Sequence, residues 1–61
     1  MEKHRIEADG EVVWRGANPP TDAIVNAVAL EATRKGWNGT VLDYYFAGEF
    51  IRELHPDFEL I

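Results

Sequence analysis

The fold turns on how TVLDYYFAGEFIRELHP, residues 40–56, is read. β-branched and aromatic residues crowd its first half and favour an extended chain. As a strand over residues 40–46, the segment puts Thr40, Leu42, Tyr44 and Phe46 on one face and Val41, Asp43 and Tyr45 on the other. As a helix it would start at Thr40, which with Asp43 has the spacing of a capping box, and run to His55, with Phe46, Phe50 and Leu54 recurring every fourth residue. The strand is the preferred reading of residues 40–46. Either way, residues 47–54 are expected to be helical, because Phe50, Ile51 and Leu54 form a stripe. His55-Pro56 should end that helix, since the residue before a proline avoids helical geometry. DFELI, residues 57–61, then reads as a short final strand with Phe58 and Leu60 facing inward.

Upstream, HRIEA and EVVWR flank Asp9-Gly10, a strong hairpin signal. A two-residue loop would pair Ile6 with Val13 and leave Val12 and Trp14 on the face of Arg5 and Glu7. A three-residue loop, Ala8-Asp9-Gly10, pairs Ile6 with Val12 and His4 with Trp14, which gathers the apolar residues on one face. The longer loop is preferred, because a one-residue slip moves the whole apolar set. In RGANPP, the two prolines force an extended entry to a helix capped by Thr21 and running over about 22–35. Gly36 is the natural left-handed stop. Ile24, Val25, Val28, Ala29 and Ala32 form the core stripe of that helix, and Leu30 lies away from it beside Ala23 and Ala27. The chain is therefore expected to be one small α+β domain over residues 1–61, a β-hairpin followed by a helix, a third strand (or helix start) and a short second helix, in a ββαβα-like order.

At 61 residues the chain has little core to spare. It contains no cysteine to staple it, so self-association into a homodimer is the expected source of further burial. Eleven acids oppose six Lys and Arg, for a net charge of −5. Residues 36–61 hold five of the acids and only Arg52 as a base. Nucleic-acid binding needs Lys and Arg clusters to displace counterions, and there are none. No segment approaches the ~20 apolar residues of a membrane span, so no membrane partner is expected and the location reads as cytoplasmic.

Chemistry is sparse. Without serine or cysteine, the common nucleophiles are excluded. His4 reads as a hairpin residue stacking on Trp14, and His55 as a helix C-terminal residue. Glu49 and Glu53, one helical turn apart, read as a solvated face beside Arg52. No cofactor and no metal site is expected. Seven large rings are more than one helix and a three-stranded sheet can enclose, and surplus aromatics mark contact sites. The expectation is a non-enzymatic protein–protein interaction module, self-associating through a surface near Leu30, Trp37, Tyr45 and Phe50. One alternative is an acidic inhibitor or adaptor, of the kind phages encode, entering a basic groove of a host protein. A third reading is an enzyme subunit whose shared site uses Glu53, His55 and Asp57.

Overall fold

The computed structural model describes residues 2–56. Among these, the chain forms β1 (His4–Ala8), β2 (Glu11–Gly16), α1 (Asp22–Arg34), β3 (Leu42–Phe46) and β4 (Glu49–Leu54). The strands make one sheet in the order β2-β1-β3-β4, with every neighbouring pair antiparallel. β2 and β3 therefore run the same way with β1 between them, and the α1 connection crosses over β1 to join them. The class is α+β, as expected, but the order is ββαββ. The final strand suggested for residues 57–61 lies outside the described residues.

The expected second helix is absent; its residues are β4. The chain reverses at Ala47-Gly48, whose φ values of 52° and 84° are the two successive positive angles of a tight hairpin turn. A helix cannot pass through two such residues. The apparent helical stripe comes from an irregularity in β4. Tyr45 pairs with Phe50 and Tyr44 with Arg52, so Ile51 is an extra residue in a bulge. That extra residue breaks the alternation by which a strand is recognised.

The first hairpin hides its register in the same way. Asp9 and Gly10 have φ values of 53° and 82°, so the loop is two residues long, not three. Ala8 faces Glu11 and Glu7 faces Val12, and then the register shifts so that Ile6 faces Trp14 and His4 faces Gly16. The extra residue is Val13. A bulge after a short loop thus brings both Val13 and Trp14 against the core, while Val12 turns to the other face. Trp14 does not stack on His4. Its indole lies over Gly16, where an added Cβ would collide with the ring.

The helix follows the sequence closely. The Thr21 hydroxyl accepts from the Ile24 N–H at 3.2 Å, satisfying one free donor at the N-terminus. At the other end, Trp37 N–H donates to Ala32 O and Gly36 N–H to Thr33 O, with Gly36 at φ 106°. These are the paired bonds of a left-handed glycine cap. Val25, Val28, Ala29 and Ala32 are buried against Ile6 and Ala8 of β1, Leu42 and Tyr44 of β3 and Leu54 of β4. Ile24 and Trp37 pack on that cluster from its edge.

The turn at Ala47 gives a test. A non-glycine residue at positive φ is strained by roughly 1–2 kcal/mol, and asparagine tolerates the position better. Ala47→Asn should raise the midpoint of thermal unfolding by several degrees, an order of magnitude set by the steep dependence of small domains. A helix over residues 47–54 would be weakened by the same change, so a lowered midpoint contradicts the hairpin.

Candidate interaction surface

The sheet has an inner face, carrying Ile6, Ala8, Leu42, Tyr44 and Leu54 under α1, and an outer face on which no described element packs. Register aligns the outer residues in two rows across the strands. One row is Val12, Glu7, Asp43 and Glu53. The other is Arg15, Arg5, Tyr45 and Phe50. Arg5 is the hinge between them. Its guanidinium lies 4.4 Å from the centre of the Tyr45 ring, a cation–π contact. Its Nε is 2.7 Å from Glu7 Oε2, an ion pair by distance, yet this buried nitrogen makes no hydrogen bond, so the attraction is of charge rather than of a directed bond. Tyr45 in turn meets Phe50 edge to face, with centroids 5.7 Å apart.

Exposed apolar surface concentrates at the β3–β4 hairpin. Phe46 is 41% exposed, Phe50 52% and Ile51 48%. Phe46 belongs to the inner face, where His4 packs on it at 4.7 Å between centroids. His4 Nδ1 also hydrogen-bonds the Tyr44 hydroxyl at 2.7 Å. This pair closes the end of the core and takes the place of the expected His4–Trp14 stack.

Of the four residues singled out in the sequence, the structure brings two together: Tyr45 and Phe50 touch on the outer face. Leu30, though exposed, lies on α1, in the layer beyond the inner face. Trp37 is half-buried, with its indole over Gly39 and against a groove of about 230 Å³ that Val13, Ala32 and Lys35 also line. Sequence reasoning missed Ile51 and Phe46 as members of the exposed patch, because a helical reading of residues 47–54 hides which side chains neighbour them.

Glu49 and Glu53 separate. Glu49 faces Phe46 and Glu53 faces Asp43, so the strand with its bulge puts the two carboxylates on opposite faces rather than on one helical face. His55 follows the strand instead of ending a helix, and lines a shallow groove with Asp22, Val25 and Asn26 of α1. Asp57 lies outside the described residues. Among the described residues no group of three or more His, Asp or Glu could hold a metal ion, and no helix is long and apolar enough to cross a membrane. Comparison with protein-family models, curated proteins and solved structures found no match.

The His4–Tyr44 bond can be weighed directly. Tyr44→Phe keeps the ring and removes only the hydroxyl, and should lower stability by about 1 kcal/mol, the usual worth of one such bond. Denaturant unfolding with an unchanged slope checks this; no loss would show that water serves His4 equally well.

Proposed function

We propose that this chain is a non-enzymatic protein–protein interaction module that self-associates through the β3–β4 side of its sheet. The observation that carries the reading is the exposure of Phe50 beside Tyr45 on a face that no described element covers, with exposed Ile51 next to it in the strand. Large apolar side chains grouped at one place on a small domain usually mark a contact. In so short a chain, association also supplies burial that the single core lacks. Leu30 and Trp37 belong to other surfaces and are not part of this contact.

The row Glu7, Asp43 and Glu53 supports a second reading, docking of the same face on a basic partner. Like charges directly opposite one another across strands are unfavourable by a few tenths of a kcal/mol. A cationic partner would relieve that repulsion.

Sedimentation from micromolar to millimolar concentration tests the first reading, which expects mass to rise towards a dimer. Phe50→Ser should weaken association about ten-fold or more, as removal of a central aromatic anchor does, whereas Leu30→Ser should leave it unchanged. A strict monomer over the whole range overturns it. Salt separates the two readings. Association of two chains that each carry −5 holds or tightens as salt rises, while docking on a basic groove weakens steeply.

A further inference from the structure

We infer that the dimer forms edge to edge, with β4 pairing antiparallel to β4 of a second copy about a two-fold axis between Ile51 and Arg52; this rests on the self-association reading above. Among the described residues β4 is an outer strand of the sheet, and its residues from Glu49 to Glu53 are all exposed. The two-residue turn makes Phe46 and Glu49 the hydrogen-bonded pair that closes the hairpin. Tyr45 and Phe50 are then a pair whose backbone groups point away from each other. Beyond the bulge Tyr44–Arg52 is again closed, and Asp43–Glu53 again points away. Phe50 and Glu53 therefore present their N–H and C=O groups to the free edge.

The bulge sets the spacing of those groups. Phe50 and Glu53 are three residues apart, but their partners Tyr45 and Asp43 are only two apart, about 7 Å along an antiparallel strand. The free edge thus keeps an ordinary ladder spacing with one extra residue folded into it. A second copy carries the same extra residue at the same point. Turned about the two-fold, its Glu53 meets Phe50 and its Phe50 meets Glu53, closing two hydrogen-bonded pairs with the bulges back to back. All six residues of β4 overlap in this register.

The charges suit that register. Glu49 and Arg52 face the inner side, opposite Phe46 and Tyr44. In the antiparallel pair, Arg52 lies diagonally across from Glu49 of the second copy, within reach of its long side chain. The two-fold makes this contact twice. Parallel stacking would instead put Glu49, Arg52 and Glu53 each against its own like, which disfavours the in-register alternative. On the outer side, Phe50 extends the row of Tyr45 and Arg5 across the joint.

Amide hydrogen exchange and a charge swap test the arrangement in the intact chain. Exchange at Phe50 and Glu53 should slow as concentration rises through the dimerisation range. Glu49→Arg and Arg52→Glu, both at exposed positions, should each weaken the dimer about ten-fold by turning two attractive diagonals into repulsive ones, and the double variant should recover most of that loss. A dimer whose Phe50 and Glu53 amides exchange freely, or which ignores the single charge changes, overturns the edge arrangement and leaves self-association standing. A monomer at every concentration overturns both. Protection of the same amides in a monomer, independent of concentration, means the chain itself occupies the edge and also overturns the proposal.

Discussion

The contact between α1 and the inner face of the sheet is made by small residues, and the rest of the molecule is arranged around it. Ala29 and Ala32 share one buried cluster with Ile6 and Leu42, the two largest side chains that lose all contact with water. Alanine at those positions lets the helix axis come close to the strands. A helix is about 10–12 Å across, whereas four strands span nearly twice that. The connection from β2 to β3 ties α1 over β1, and α1 also lies beside β2. Of the six residues of β4, Leu54 is buried in the cluster under α1, and Glu49 to Glu53 are exposed. The exposure of Phe46 on the inner face is the geometric remainder of a sheet wider than its cover, whereas Phe50 is exposed because it faces the outer side, on which no described element packs.

The helix was fully legible in the sequence because its signals are local. Thr21, Asp22 and Gly36 act through bonds to residues a few positions away, and the buried stripe repeats without interruption. The third strand was legible too, down to the faces of Tyr44 and Tyr45, because β3 has no bulge. The two hairpins were misread for one shared reason. Each carries an extra residue in its second strand, Val13 in β2 and Ile51 in β4. Where alternation fails, a longer loop or a helix explains the same letters. Ala47-Gly48 adds to the difficulty, since alanine rarely marks a left-handed turn whereas Asp9-Gly10 advertises one.

The candidate surface shows the same division. Surplus aromatics could be counted from composition, and the structure leaves Phe46 and Phe50 substantially exposed. Their grouping could not be read, because neighbours across strands are fixed by register. Tyr45 and Phe50 meet because one extra residue separates Phe50 from Arg52. Without the bulge Leu54, Arg52 and Phe50 would alternate strictly onto one face, and the ring would fall on the inner side. Leu30 sits in a weak apolar patch that was visible from helical angles alone, but its distance from the other three depends on which face of the sheet the helix covers.

The two outer strands differ in how they are shielded, and that difference is the strongest reason to look for a partner at one of them. β2 lies beside α1, and the chain leaving it runs into Asn18-Pro19-Pro20, which cannot extend a ladder. Among the described residues, β4 has only its bulge and its charges. These devices discourage indiscriminate pairing by bending the edge and by repelling strands in the wrong register. They do not repel a strand with the same bend and a matching order of charges. An edge guarded in this way is selective rather than closed. The net charge of −5 adds to that selectivity, since it opposes approach in general and is offset only where Arg52 finds a carboxylate.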